Sequence, residues 1–411
     1  MRVLVIGAGI GGLVLAHALR GKGLEAVVFD RDPAAEVTGG YRLRLDQRAC
    51  AVLRTCLAPR RYEALMASSA GAYRRFHVTD HRMRLLFADE GAPGAEELLI
   101  GRIPLRTQLA DWLGEDVRFG AEYIGHEVVG GRVLARFADG ATATGDVLVG
   151  ADGVGSRVAA ALAGRPTSRP AGVSGIAARA PLTDRVRALL PALLSEGPAL
   201  AFGPAGVGLF LSVHDPDARP LIADARSAEP AALVWGLLAP DRAYPGGARH
   251  LDPAALVRLA ATTLTGWHPA VRALVEAADP ATAAFFGFHA ADPRADLTPW
   301  PAGPVTALGD AVHAMPPTGG QAAVTAIRDA DVLAGELAAA AAGESTIPIA
   351  VHRYHLRLAT YAPAALRESL QPLGWVHRMS GPLGTAVARA ALPALATAAR
   401  VGRVVTGVRG A

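Results

Sequence analysis

The chain opens Arg2-Val3-Leu4-Val5-Ile6-Gly7-Ala8-Gly9-Ile10-Gly11-Gly12-Leu13-Val14-Leu15-Ala16, and this stretch decides the fold. Arg2–Ile6 is a continuous apolar run, the signature of a strand buried on both faces of a parallel sheet. Gly7, Gly9 and Gly12 satisfy G-x-G-x-x-G, and Leu13–Leu19 continues at helical spacing. The three glycines do different things. Gly7 makes the tight turn, Gly9 lets backbone approach a pyrophosphate, and Gly12 lets the helix pack on the sheet. The helix N-terminus then stabilises an anion with its dipole and free N–H groups. A second buried strand, Ala26–Phe29, ends in Asp30, 18 residues after Gly12, where a carboxylate can accept the hydroxyls of an adenosine ribose. The pattern is a βαβ opening in about 30 residues. Alone it does not separate NAD from FAD.

Two further glycine-rich turns follow apolar strands. Val147–Gly150 runs into Ala151-Asp152-Gly153-Val154-Gly155-Ser156-Arg157, and Val305–Leu308 runs into Gly309-Asp310-Ala311-Val312-His313-Ala314-Met315-Pro316-Pro317-Thr318-Gly319-Gly320. The last ends in a stiff and then permissive segment, suited to pressing backbone N–H groups against a flat ligand. A helix is expected from about Gln321 to Ala342. Between the turns, Tyr73–Val78 and Arg82–Phe87 flank Asp80 as a hairpin would, and Arg132–Val149 reads as a β-meander. From about Thr167 to Pro299, short apolar strands (Val173–Ala180, Leu200–Phe202, Gly208–Val213) punctuated by Pro and Gly suggest a second domain. Beyond Ile347 the pattern is helical.

The 411 residues exceed one average domain, and 51% hydrophobic against 19% charged residues supplies a large core and excludes global disorder. The net charge is only +4, with no basic block of the kind a nucleic-acid tail shows. Lys22 is the single lysine, so a buried catalytic lysine would have to be that residue. Cys50 and Cys56 make neither a disulfide framework nor a metal quartet, and no metal site is expected. The first strand is read from Arg2, and no signal peptide is expected. No uncharged apolar run reaches the roughly 20 residues a spanning helix needs. A cytoplasmic protein without stable membrane insertion, monomeric or homodimeric, is the expectation. The apolar, Arg-spaced stretch Leu383–Val405 is expected to pack on the first domain.

Together the three turns resemble the single-component (class A) FAD-dependent monooxygenases of the aromatic-hydroxylase type. The opening motif looks like their ADP-binding fingerprint, Asp152-Gly153 like their DG motif and Gly309-Asp310 like their GD motif. Arg102-x-x-Leu105-x-x-x-Leu109 is similar to their Arg-anchored helix start. The resemblance implies an α/β fold: a Rossmann-like FAD-binding domain with an inserted β-sheet substrate domain and a C-terminal helical region. The expected divisions are 1–72, 98–165 and 300–345 for the discontinuous FAD domain, 73–97 and 166–299 for the substrate domain, and 346–411 for the helices.

The resemblance also implies residue roles. Gly7, Gly9 and Gly12 would cradle the FAD pyrophosphate, with Asp30 on the ribose and Arg31 beside the adenine. Arg102 would contact the diphosphate and ribityl region, and Arg42 would stand near the diphosphate or else lie on a surface face with Arg44 and Arg48. Asp152 and Gly153 would steady the FAD-binding backbone, and Asp310 would bind a ribityl or pyrophosphate-side hydroxyl. Pro317, Gly319, Gly320, Gln321, Ala322 and Ala323 would line the isoalloxazine. Phe202, Phe210, Met315 and Pro316 are the substrate-side candidates. Trp235, Phe285, Phe286 and Phe288 are further aromatics of the middle region, with ordinary core as the alternative. No catalytic residue is assigned; His214, His289 and His313 are general-base candidates by location alone.

The family usually reads Gly-Gln-Gly-x-Asn after the proline loop, whereas Gly320-Gln321-Ala322-Ala323-Val324 stands here. Ala322 adds a Cβ and Val324 removes a polar side chain. An Arg common shortly after the DG motif is replaced by Ala159 and Ala160. The activity implied is NADH- or NADPH-dependent insertion of one oxygen atom from O₂ into an aromatic, polyketide-like or other hydrophobic small molecule, through a flavin C4a-hydroperoxide. The alternatives are a related flavin reductase, or a flavoprotein that has lost turnover. A halogenase is disfavoured by the position of Lys22.

Overall fold

The computed structural model describes residues 1–39, 42–68, 75–90, 96–215 and 229–380, with short helical pieces at 383–384 and 386–387. Most of Leu383–Val405 and the start of the Tyr73–Val78 segment lie outside the described residues.

Five parallel strands form the first sheet, in the order Val305–Ala307, Val147–Gly150, Arg2–Ile6, Glu25–Phe29 and Val117–Arg118. Val3, Leu4 and Val5 have no exposed surface, as the unbroken apolar run requires. The helix Ile10–Gly21 lies against the sheet, and ten of its twelve residues are buried. The long helix Ala322–Ala341 packs on it and is covered in turn by Ile347–Ser380. The start at Ala322 and end at Ala341 are each within a residue of the sequence expectation. The antiparallel meander Tyr123–Val129, Arg132–Phe137 and Thr142–Gly145 covers the sheet's other side, where Phe137 packs on Phe29.

Seven strands form the second sheet, in the order Asp279–Ala290, Arg169–Pro181, Ala232–Pro240, Gly208–His214, Ala199–Phe202, Arg75–Asp80 and Leu85–Glu90. One face carries Ile176, Leu209, Trp235 and Leu237, which pack under the helices Pro253–Thr263 and Pro269–Glu276. Alternation along a strand turns the intervening residues to the opposite face. The expected strand Arg82–Phe87 begins later, at Leu85. The Asp80 carboxylate accepts from the Arg82 and Arg84 backbone N–H groups and the Arg84 guanidinium, which holds 80–84 as a turn. A separate pair, Arg42–Leu45 with Leu98–Gly101, completes the strands described.

Candidate active site

The parallel register places Phe29, Ile6, Gly150 and Ala307 side by side. The turns that follow these residues therefore emerge together, at the carboxyl ends of neighbouring strands, where open α/β sheets bind ligands. Three motifs, beginning at Gly7, Gly150 and Gly309, become one site through this alignment.

Gly7 adopts φ +111°, and a Cβ there would lie 2.2 Å from the Ala151 carbonyl oxygen. A Cβ on Gly12 would lie 2.1 Å from the Gly7 carbonyl oxygen, so the helix packs against the turn only without a side chain. Gly9 has no such neighbour; the nearest atom to a Cβ there is 3.9 Å away. The Asp30 carboxylate accepts from Ala8 N at 2.6 Å and Asp32 N at 2.8 Å.

Arg106, which the sequence reading missed, fastens this turn. Only 2% of its side chain is exposed. Nε donates to the Ala8 carbonyl at 2.8 Å, and the guanidinium pairs with Asp30 at 3.2 Å and Asp32 at 2.9 Å. The signal was present: Leu105, Arg106, Leu109, Ala110 and Leu113 share the buried face of the helix Arg102–Leu113. An arginine on a core-facing stripe must have buried partners.

At the second turn, Asp152 accepts from the Ser156 hydroxyl and from Arg157 N at 2.8 Å, bracing the start of the helix Arg157–Ala163. Burial pushes its carboxyl above the usual carboxylate range. Arg157 is held by the Tyr123 carbonyl and Glu122.

At the third turn, His313 Nε2 lies 2.6 Å from Asp329 Oδ2, both side chains fully buried. The same oxygen accepts from Gly309 N at 2.9 Å, and Oδ1 accepts from the Tyr361 hydroxyl at 2.7 Å. Burial alone would lower His313, but the charge and hydrogen bond of the facing Asp329 carboxylate, with the Asp310 carboxylate beside it, together hold the imidazole above its ordinary value. Burial raises Asp310, opposed by His313 and Arg102. Asp310 Oδ1 is buried with no hydrogen-bond partner among the described residues.

The three turns border one cavity of about 530 Å³, within the range typical of small-molecule sites. Gly9, Gly12, Arg102, Gly153 and Asp310 lie on one side, and Pro317, Gly319, Gly320, Ala322 and Ala323 continue it. Arg102 donates to the Gly39 carbonyl at 3.2 Å. The face of the seven-stranded sheet forms the other wall, with Phe210, Phe286 and Phe288, and Met315 reaches the same space. Gly7, Asp30 and Asp152 neighbour these turns without lining this cavity.

Several expectations need correction. Phe202 is not on the wall: its register opposite Asp80 and Gly208 carries it into a cluster with Val78 and Leu86. Pro316 is buried and does not line the cavity, although its neighbours Met315 and Pro317 do; its φ −59°, ψ 148° is polyproline II backbone, which turns successive side chains about 120° apart. Gln321 turns away to Glu368 at 3.1 Å. Arg42 borders the cavity, but its guanidinium is neither at a surface nor directed at the glycine turn. It is 6% exposed, pairs with Glu229 and donates to the Leu99 carbonyl. Arg31 is exposed, outside the wall.

Val324 is buried in the core with Ile327 and Leu333, so its apolar side chain removes nothing polar from the cavity; Ala322 does face it. Of the three histidines, none lines the cavity. His313 is the buried partner of Asp329, His214 is bonded to the Glu229 carbonyl, and His289 to the Gly287 carbonyl. Burial pushes the Cys50 and Cys56 thiols up to about 11 and about 12, the opposite of an activated nucleophile. Lys22 is exposed at the far end of the helix Ile10–Gly21.

Comparison with known proteins agrees with this geometry. A family model described as an FAD binding domain matches residues 1–206 and 266–367. The chain is 32% identical over 386 residues to a dual O-methyltransferase/FAD-dependent monooxygenase of Phaeosphaeria nodorum, covering 83% of this chain and 40% of that protein. It thus spans about 40% of the length of the fungal relatives it matches. The aurachin C monooxygenase/isomerase of Stigmatella aurantiaca is 29% identical over 363 residues, covering 86% of this chain and 84% of the relative. A crystal structure from Photorhabdus luminescens, assigned as an FAD-containing monooxygenase, superimposes with a TM-score of 0.77 at 29% identity, covering 91% of this chain and 97% of that one. The chain belongs to the class A FAD-dependent monooxygenase family, of the aromatic-hydroxylase type.

Proposed function

We propose that the protein is an FAD-dependent hydroxylase that uses NADH or NADPH and O₂ to insert one oxygen atom into an aromatic, polyketide-like or other hydrophobic small molecule. The observation that carries this reading is the single cavity with two unlike walls: glycine turns and Asp310 on one side, an aromatic sheet face on the other. The residues present fit the flavin dinucleotide. Gly9 leaves room for a pyrophosphate, and Asp310 Oδ1 is a buried acceptor with no partner among the described residues.

Gly7, Gly9 and Gly12 would hold the pyrophosphate on the helix Ile10–Gly21, with Arg102 supplying positive charge. Asp30 and Asp310 would take hydroxyls of the ribose and ribityl chain. Bound FAD supplies hydride acceptance from the nicotinamide and activation of O₂. The helix Ala322–Ala341 begins at the cavity, and the side chain of its N-cap, Gln321, makes no capping bond to its first N–H groups. Those groups would stabilise negative charge at the adjoining edge of the ring system. The phenylalanine wall would exclude water from the reacting face.

The test is the visible spectrum of the purified protein, followed by NADH and NADPH oxidation with and without O₂ over phenolic and polyketide compounds. Flavin bands, substrate-stimulated reductant consumption and oxygen from ¹⁸O₂ in the product are expected. A colourless protein that cannot be reconstituted, or stimulated consumption without product oxygen, would overturn the reading.

A further inference from the structure

The register of the seven-stranded sheet aligns Ala177, Gly236 and Phe210 in one row across three adjacent strands, and Leu200 follows on the next. Trp235 and Leu237, on either side of Gly236, have no exposed surface and pack under the helices. Position 236 therefore faces the cavity, which it lines. Phe210 lies beside it on one flank, and Phe286 stands beyond Ala177 on the other, opposite Gly175.

A glycine inside a strand weakens it, and usually marks a bulge, an unusual backbone, or a place that something must approach closely. The first two explanations fail at Gly236. The pairing runs without a shift through this position on both neighbouring strands, and its φ lies outside the left-handed region. Crowding by the protein fails as well: a Cβ built at 236 meets no atom within 4 Å. Gly175 offers the contrast. There a Cβ would lie 2.9 Å from the Leu237 carbonyl oxygen and 3.1 Å from the Phe288 ring, so packing alone requires glycine. Folding places no such demand on Gly236. The space in front of it belongs to the cavity. The lining residues on the strands Arg169–Pro181, Gly208–His214, Ala232–Pro240 and Asp279–Ala290 are uncharged, and the charged lining residues on strands, Arg42, Arg44, Arg75 and Asp89, come from other strands bordering the cavity.

We propose that Gly236 is a specificity-determining residue: its missing side chain leaves a flat floor between Phe210 and Phe286 that admits a planar fused-ring substrate, and a side chain there restricts the site to smaller rings. This rests on the hydroxylase reading and deepens it. The site distinguishes substrates by how far a planar system extends over positions 177 and 236. A substituent at 236 fills that floor without touching the glycine turns or Asp310.

The test uses the full chain loaded with FAD, without reductant, and titration calorimetry with 2-naphthol and 1,8-dihydroxyanthraquinone. Gly236→Leu is expected to weaken the anthraquinone by about tenfold or more, the scale of overpacking a formed site, and 2-naphthol by less than about threefold. Gly236→Ala should fall between wild type and Gly236→Leu. If Gly236→Leu does not retain FAD, Gly236→Ala and Ala177→Val give the same comparison. Equal loss of both probes, unchanged anthraquinone binding in the variants, or failure of the wild-type protein to bind the anthraquinone would overturn the proposal. FAD retention and anaerobic reduction by NADPH on the same samples test the flavoenzyme reading separately, because neither involves a probe.

Discussion

His313 and Asp329 meet at 2.6 Å with no exposed surface on either side chain. They join the turn after the last parallel strand to the middle of the helix Ala322–Ala341. Asp329 also holds Gly309 N and the Tyr361 hydroxyl, so one carboxylate ties three segments together behind Asp310. Removing one partner of a buried pair typically costs roughly 3–5 kcal/mol. Asp329→Asn should therefore lose stability on that scale in urea, while Tyr361→Phe should lose about 1 kcal/mol, the net worth of a single hydrogen bond.

The same pair sets a pH dependence. His313 is held above its ordinary value of 6.5 in the folded protein. Its contribution is complete below that value and is lost as pH rises through the raised folded-state value. Asp329→Asn should remove this loss at alkaline pH. The comparison is urea midpoints of both proteins across neutral and alkaline pH.

His17 and His355 act in the opposite direction. Burial lowers both to about 4. The unfolded chain binds their protons from 6.5 downward and the folded chain does not, so stability falls as pH drops through that window. At the bottom of the window each site accounts for about 3 kcal/mol. His17 Nε2 faces the Leu109 carbonyl at 2.9 Å, so His17→Gln can keep a donor there. Its urea midpoint should depend less on pH between 6.5 and 4.

Asp310→Ala separates ligand binding from folding. Oδ1 has no partner among the described residues, so the apoprotein should lose little stability, or gain some. Losing a hydrogen bond that involves a charged group should weaken FAD by about 1.5–3 kcal/mol. Fluorescence titration of the apoprotein with FAD, beside its thermal midpoint, checks both halves.

Arg106→Leu should fail in both respects. It leaves the Ala8 carbonyl and the Asp30 and Asp32 carboxylates without their guanidinium, at a cost of roughly 3–5 kcal/mol. Arg106→Lys should rescue only part, because an ammonium cannot span three acceptors as a planar fork does. Gly12→Ala should also abolish FAD retention, since its Cβ would overlap the Gly7 carbonyl. Flavin absorbance per protein after gel filtration reads all three variants.

Much of the framework was legible because it is local. The run Arg2–Ile6, the glycine turn and the helical spacing after it lie within a few residues of one another, and their periodicity names strand, turn and helix directly. The turns at Asp152 and Asp310 could be recognised for the same reason. Phe202 and Phe210 show where this stops. Both are phenylalanines of the same sheet face, yet only one lines the cavity, because register with strands far away in the chain decides which reaches it. Arg42 shows the same limit: its partner Glu229 is 187 residues away.

Periodicity and turn chemistry, which depend only on neighbouring residues, settled most of the elements, their order and the positions of the three glycine turns. Tertiary packing alone settled which side chains share a cavity, which charges are buried in pairs, and that Gly236 faces empty space while Gly175 does not. Burial and long-range pairing depend on segments hundreds of residues apart, and no local pattern encodes those distances.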